Sequence, residues 1–187
     1  MSAAQLVFEK LKELPEATPI ALEVTVETYV DALRGVTDLF ANDKDLNVIY
    51  ISATIPSSNI MSIFELLEID LSRIYFIDCI SHIMMSTGER SDHILYVESA
   101  TMLENLMLKA EYLLKKYANK KSVVILDSIN SLAIHNDIKI QSEFLHIFVT
   151  SLRSKGAYMV VISMKEQQSP ETNTMLNLIC DEIFPMN

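Results

Sequence analysis

The chain of 187 residues is poor in glycine and tryptophan. It has only three glycines, Gly35, Gly88 and Gly156, whereas an average chain of this length has about thirteen. Loops that cradle phosphate groups need converging backbone N–H groups in conformations that glycine adopts cheaply. Three scattered glycines do not build such a loop, so most phosphate chemistry is disfavoured.

Basic residues, long apolar runs and paired cysteines are also scarce. Fifteen basic residues against 25 acidic ones leave a net charge of −10, which disfavours binding to nucleic acid. No signal peptide is recognisable, and no apolar run approaches the ~18 residues that span a bilayer. Cys79 and Cys180 form no CxxC pair, and the four histidines show no metal-binding spacing. We therefore expect a cytoplasmic protein with reduced core thiols, no membrane association and no metal site.

The chain does contain short apolar runs that alternate with helical periodicities. Strands are predicted at 19–24, 47–53, 73–79, 94–97, 122–127, 157–163 and 181–186. Helices are predicted at 5–14, 28–41, 58–68, 101–118 and 137–154, with a last one starting at 170. This alternation predicts a three-layer α/β/α sandwich around a mostly parallel sheet. Residues 1–17 are interpreted as an N-terminal helix and lead-in, and residues 18–187 as a single domain.

Local signals mark several helix ends. Thr101 and Glu104 have the spacing of a capping box. Gly156 has the position of a glycine that follows a helix C-terminus. Ser169 followed by Pro170 predicts an N-cap and the first residue of the last helix.

The carboxyl ends of the strands are where an open parallel sheet binds ligands. Asp127 ends the apolar run SVVILD, and Ser128 follows it. A carboxylate at the end of a buried strand can order Mg²⁺ beside a nucleotide. It can equally fix the turn that it begins, and the residues alone leave both interpretations open.

Four segments, in order, carry a resemblance: IDLSRIYFIDC, VVILDSINSL, LRSKGAYMVVIS and LICDEIF. Over about residues 18–186 the chain resembles the RecA-like superfamily, especially the small single-domain archaeal proteins of its KaiC-like branch. The resemblance implies the RecA-like P-loop NTPase fold. It also names three parts that members use to hydrolyse ATP.

Two of those parts are not matched. The phosphate loop GxxxxGK[ST] corresponds to ALEVTVETYVDAL, which has neither glycine nor lysine. There Thr28 matches the terminal Ser/Thr, and Glu27 replaces the lysine. At the acidic pair that would orient the attacking water stand Thr54 and Ile55. Only the metal-ordering acid is retained, by Asp127 with Ser128, so we interpret the Walker A motif as degenerate.

The resemblance and its gaps predict a non-hydrolysing pseudo-ATPase that needs no cofactor. Its expected role is scaffolding or regulation through protein–protein assembly, as a homo-oligomer or beside an active paralogue. Met84 and Met85, adjacent in a polar loop, are the candidate contact residues. The alternative is an unconventional ATP sensor or weak ATPase that completes its site with a neighbouring subunit. It would use ATP and Mg²⁺ at Thr25, Thr28, Asp127 and Ser128.

Overall fold

A computed structural model describes residues 1–81 and 91–187 of the chain. Within them, seven strands form one sheet in which every pairing is parallel. The strands are β1 Pro19–Val24, β2 Asn47–Ser52, β3 Ile74–Asp78, β4 Ile94–Tyr96, β5 Ser122–Asp127, β6 Tyr158–Met164 and β7 Glu182–Pro185.

Helices connect the strands and cover both faces of the sheet. In the described part of the chain they are α1 Ala3–Glu13, α2 Tyr29–Arg34, α3 Ala41–Asp43, α4 Ser57–Leu66, α5 Leu103–Lys116, α6 Ile129–His135, α7 Ile138–Ser154 and α8 Pro170–Ile179. A π-helical segment, Gly35–Phe40, joins α2 to α3. Short 3₁₀ turns cover Leu71–Arg73 and Lys165–Gln167.

The strand order is β4-β3-β2-β5-β6-β1-β7, so β5 lies at the centre. Each predicted strand is present to within one or two residues at its ends. The predicted three-layer α/β sandwich with a parallel sheet is therefore confirmed.

Two hydrophobic cores lie on opposite faces of the sheet. Alternate residues of β5 supply both, because successive strand side chains point to opposite faces. Val124 and Leu126 pack with α5, α6, α7 and α8. Val123 and Ile125 pack with α1, α2 and α4 on the other face. This two-sided burial explains why the central strand is apolar throughout.

Two of the three helix-end signals are confirmed. Gly156 follows α7 with a left-handed φ of 68°, and the Ser169 side chain accepts from Thr172 N at the start of α8. The capping box at Thr101 is wrong: α5 begins two residues later, its N-cap is Met102, and no side chain caps it. Thr101 N–H instead donates to Ser99 Oγ at 3.2 Å, so a local turn takes up the threonine.

Helix α1 lies in close contact with the rest of the fold. Val7 and Leu11 are buried in the same core as β1 and α2. The approach is closest at Gly35, where an added Cβ would lie 2.7 Å from both Ala4 O and Val7 Cβ. Only glycine fits this crossing without displacing the backbone of α1.

No helix described for residues 1–81 and 91–187 combines the length and apolar character that crossing a membrane requires. Met84 and Met85, the predicted contact residues, lie outside the described residues.

Candidate functional site

Asp127 lies at the carboxyl end of β5, at the middle of the sheet edge where α/β folds bind ligands. Its side chain is 1% exposed. Ser52, at the end of β2, pairs in register with Asp127. The carboxylate is therefore held in the interior, close to the turns that follow β1, β2 and β6.

Two tyrosines donate to the same oxygen of Asp127. Tyr50, two residues before the end of β2, and Tyr29, the first residue of α2, both donate their hydroxyls to Oδ2. The two phenol oxygens lie 3.4 Å apart. We call Asp127, Tyr29 and Tyr50 the tyrosine–aspartate cluster.

Burial controls the charges of this cluster. It raises the pKa of Asp127, and the two tyrosine hydrogen bonds offset that rise only in part. Burial, followed by the neighbouring Asp127 carboxylate, also raises the pKa of Tyr29 and Tyr50, so both stay protonated as donors. The other carboxylate oxygen, Oδ1, is buried and has no hydrogen-bond partner among residues 1–81 and 91–187.

Three hydroxyl groups lie beside Asp127. Thr54 Oγ1 is 3.2 Å from Ser128 Oγ and 2.9 Å from Ser131 Oγ, and the two serine oxygens are 3.2 Å apart. Ser128 is also the N-cap of α6, accepting from Ser131 N. The peptide bond between Asp127 and Ser128 is cis. Ser128 thus starts the next helix, whereas the Asp127 carboxylate accepts from the two tyrosines.

The connection from β1 to α2 is a turn of four residues, Thr25 to Thr28. The two threonines bond one another: Thr25 N donates to Thr28 Oγ1 at 2.9 Å, and Thr28 N lies 3.3 Å from Thr25 Oγ1. Their hydroxyl oxygens are 3.2 Å apart. The backbone donors at both ends of the turn are therefore already used.

The two middle residues of this turn, Val26 and Glu27, bind or carry a carboxylate. Val26 N donates to Glu166 Oε1 at 3.4 Å. Hydrogen bonds from its own backbone N–H and from Thr25 lower the pKa of Glu27, so it carries a negative charge on the turn. Two carboxylates here repel a phosphate group, which a phosphate-binding loop would attract.

A cavity of about 150 Å³ opens beside the tyrosine–aspartate cluster. It is lined by Val26, Tyr29, Thr54, Ile55, Asp127, Met164 and Gln167. Small-molecule sites usually measure about 300–1,000 Å³. This cavity has room for water molecules or a few heavy atoms and is too small for a nucleotide.

Asp78, at the end of β3, is a second buried carboxylate at this edge. Its Oδ2 accepts from Ser57 N at 2.8 Å, Ser57 Oγ at 2.6 Å and Ser81 Oγ at 2.5 Å. Its Oδ1 accepts from Ile80 N and Ser81 N, both at 2.8 Å. Burial alone would raise its pKa, but these hydrogen bonds outweigh burial and lower it. Asp78 fastens the start of α4 to the end of β3.

The predicted site residues fall into two groups. Thr25 and Thr28 lie in the β1–α2 turn, and Asp127 and Ser128 lie at the end of β5. Within the described residues, no hydrogen bond joins the two groups. The first group borders the small cavity through its neighbours Val26 and Tyr29, and Asp127 of the second group lines the cavity itself. Among residues 1–81 and 91–187, no three His, Cys, Asp or Glu side chains converge on a position for a metal ion.

Tyr29, Tyr50 and Asp78 were missed by reasoning from the sequence. Tyr50 in YIS and Asp78 in FIDC looked like ordinary members of buried strands. The available signal was chemical, since a buried phenol needs a hydrogen-bond partner and a buried carboxylate needs several. Which partner each would find depends on strand order, which the sequence does not show directly.

Comparisons with known proteins place the fold. No protein-family model matches the chain, and no curated protein does. Among solved structures, a KaiC-like protein from the hyperthermophilic archaeon Pyrococcus horikoshii OT3 is similar, with a TM-score of 0.63 and 14% sequence identity. The similarity covers 93% of this chain and 74% of that protein. At this identity the likeness establishes the fold alone: the chain has the same α/β fold as that KaiC-like protein.

Proposed function

We propose that this protein is a non-hydrolysing pseudo-ATPase with a RecA-like fold, which acts as a cytoplasmic scaffold or regulator through protein–protein assembly. The observation that carries the proposal is that the protein's own side chains already bind the groups that ATP would need. The hydroxyls of Tyr29 and Tyr50 occupy one oxygen, Oδ2, of the Asp127 carboxylate, to which the resemblance assigns metal ordering. The donors of the β1–α2 turn are bound by threonine hydroxyls and by Glu166.

The electrostatic cost of ATP at this turn supports the proposal. A phosphate group at the turn would face Glu27 and Glu166 without any lysine or arginine from the turn itself. Each unit of like charge at 4 Å costs about 4 kcal/mol near a protein surface. Catalysis would further need a group to position water, and Thr54 and Ile55 stand where the resemblance places acidic residues.

One observation favours the alternative, an ATP sensor or weak ATPase. Asp127 Oδ1 is buried without a partner in a residue that lines a cavity. Mg²⁺ would satisfy that oxygen if a neighbouring subunit supplied the remaining groups. The size of the cavity, about 150 Å³, argues for bound water instead.

Thermal unfolding at several ATP–Mg²⁺ concentrations separates the two functions. A ligand that binds only the native state adds about 2.7 kcal/mol of stability at 100 times its Kd. We expect no change in the melting temperature that depends on Asp127, so the wild type and Asp127→Asn should respond alike to ATP up to millimolar concentration. A shift that is present in the wild type and lost in Asp127→Asn would establish the sensor instead.

An exposed apolar groove between α7 and α8 is the described surface that best suits assembly. Its volume is about 490 Å³, and its apolar lining includes Ile138, Met175 and Leu178. Leu178 is 80% exposed in the single chain. Covering such residues is the ordinary driving force for association. We infer that a second copy of the chain is the first partner to test.

Light scattering after size exclusion tests this surface. We expect a mass above the 21.2 kDa of one chain, and we expect Leu178→Asp to return it to the monomer. The matched control is Leu66→Asp, since Leu66 on α4 is 84% exposed but lies on the other face of the sheet. A wild type that stays monomeric at high concentration and captures no partner would contradict the scaffold function.

A further inference from the structure

A second pocket lies at the opposite end of the sheet from Asp127. Ser122 begins β5 and lines this pocket, and Ala157 lines it directly before β6. The six residues of β5 separate the pocket from Asp127 by about 16 Å at ~3.3 Å per residue. The pocket is therefore independent of the site described above.

Four lysines converge on this pocket, which we call the lysine pocket: Lys115, Lys120, Lys121 and Lys155. They are four of only fifteen basic residues in a chain with a net charge of −10. Lys115 comes from the last turn of α5, and Lys155 from the end of α7. Favourable contact with helix C-termini explains lysines at each helix end separately, but not their convergence around one concave volume of about 440 Å³.

Three of the lysines already hold carboxylate oxygens. Lys120 lies 2.7 Å from Asp45, Lys121 lies 2.5 Å from Glu16, and Lys155 lies 3.4 Å from Glu111. Lys115 forms no ion pair within the described part of the chain. These pairs are partly or fully exposed, and ion pairs in contact with solvent are weak, so an incoming anion can exchange with them.

The pocket keeps a positive charge after its opposing charges are counted. Of its lining residues, Glu111 is the acidic one. The C-termini of α5 and α7 each act as roughly half a negative charge. Asp45, which pairs with Lys120, is also bound by Arg73 at 2.7 Å. Glu16 pairs with Lys121. With Arg73 counted, five positive groups face three carboxylates and two half-charges, which leaves an excess of about one positive charge.

We propose that the lysine pocket binds a small phosphorylated molecule. A phosphate group carries up to two negative charges and three acceptor oxygens, which suits several ammonium groups better than a single carboxylate does. Leu114, Ala118 and Ala157 provide an apolar wall for the body of the ligand. The volume lies within the range of about 300–1,000 Å³ that is usual for small-molecule sites.

Calorimetric titration of the full chain with inorganic pyrophosphate and with adenosine monophosphate, at low ionic strength, tests the proposal. We expect saturable binding that the double variant Lys120→Gln/Lys121→Gln weakens by roughly tenfold or more, because it removes two charge-assisted hydrogen bonds and a loss of about 1.4 kcal/mol is tenfold in affinity. The matched control is Lys139→Gln, which changes a lysine near the opposite end of the 17-residue helix α7. We expect the control to bind like the wild type, and all variants to melt at similar temperatures because Lys121 and Lys139 are exposed and Lys120 is partly exposed.

Amide chemical shifts locate the ligand. We expect the largest changes at Leu114, Ala118 and Ala157. Absence of saturable binding at millimolar ligand, equal weakening by Lys139→Gln, or shifts centred on Thr25 and Ser128 would each overturn the proposal. ATP binding that survives the double lysine substitution and is lost in Asp127→Asn would contradict the proposed function and leave this inference standing.

Discussion

Two strands of the same sheet end in a buried aspartate, and the two carboxylates differ in their hydrogen bonds and in the direction of their pKa shifts. Asp78 at the end of β3 accepts five hydrogen bonds, three of them from backbone N–H groups. Asp127 at the end of β5 accepts two hydrogen bonds on one oxygen, and its other oxygen has no partner in the described part of the chain. The pKa is lowered at Asp78 and raised at Asp127.

The difference shows that an apolar strand followed by aspartate does not by itself define a function. Both carboxylate oxygens of Asp78 accept hydrogen bonds from the segments that it joins, so Asp78 has a structural role. Asp127 is stabilised by side chains from two other elements and retains an unused acceptor. The position that the resemblance assigns to metal binding is the less well satisfied of the two.

Asp78→Asn is expected to have the largest effect on this comparison. The amide presents an N–H₂ group to donors that need an acceptor, so several buried hydrogen bonds are lost. Since hydrogen bonds to a charged group contribute about 1.5–3 kcal/mol each, we expect a loss of roughly 3 kcal/mol or more in the free energy of unfolding by urea. Asp70→Asn is the control, because Asp70 caps Ser72 in the same way but on the surface; its cost should stay near 1 kcal/mol. Similar losses for both variants would show that Asp78 is not a special anchor.

Tyr50→Phe should have an intermediate effect. The ring still packs, with its centroid 5.8 Å from that of Phe64, but Asp127 loses one of its two donors in the interior. We expect a loss of about 1–2 kcal/mol in thermal or urea unfolding. Tyr158→Phe is the matched control, since Tyr158 is also a buried strand tyrosine but its hydroxyl makes no hydrogen bond in the described part of the chain. A control that costs as much as Tyr50→Phe would attribute the loss to packing rather than to the carboxylate.

The smallest effect at neutral pH is expected for Asp127→Asn. The amide oxygen can accept from both tyrosines, and the substitution removes a charge whose burial is costly, so we expect a change within about 1 kcal/mol. A loss of several kcal/mol would mean that the ionised carboxylate has a partner not seen in the single chain.

The pH dependence has opposite signs at the two positions. At Asp127 the folded-state pKa lies above the ordinary value of 3.8, so its contribution to stability is complete below pH 3.8 and is lost as the pH rises through the folded pKa. At Asp78 the folded pKa lies below 3.8, so its contribution is present above pH 3.8 and is lost as the pH falls through the folded pKa. Unfolding curves from pH 2 to 7 should therefore show Asp127→Asn gaining relative to the wild type as the pH rises, and Asp78→Asn losing most at neutral pH. Parallel profiles for the two variants would refute the contrast.

The fold could be predicted from the sequence because its signals are local. The runs NVIYIS and SVVILD are too apolar and β-branched to be anything but buried strands, and their alternation with helices implies a parallel sheet. The predicted capping box of Thr101 and Glu104 does not form, because Thr101 belongs to a local turn in which its N–H donates to Ser99. Sequence spacing does not decide such a competition.

The candidate site was only partly predictable because its contacts are distant in the chain. Asp127 and Ser128 were singled out, but Tyr50 is 77 positions from Asp127 and Tyr29 is 98 positions away. Lys155 and Lys115 likewise line one pocket only because α5 and α7 end at the same edge of the sheet. Such partners follow from strand order and helix packing, which no local pattern carries.

The position of β1 in the sheet has a consequence for how the protein is made. Its neighbours are β6 and β7, so Ile20 pairs with Val160 and Glu182. A ribosome must therefore synthesise most of the chain before the first strand finds either partner. Pairing over such distances is slow, because the entropy of closing the loop is lost before the contacts form. During that interval the apolar run PIALEV has been synthesised but is unpaired, so it is a segment that chaperones can bind. The sheet around it is complete once β7 has formed.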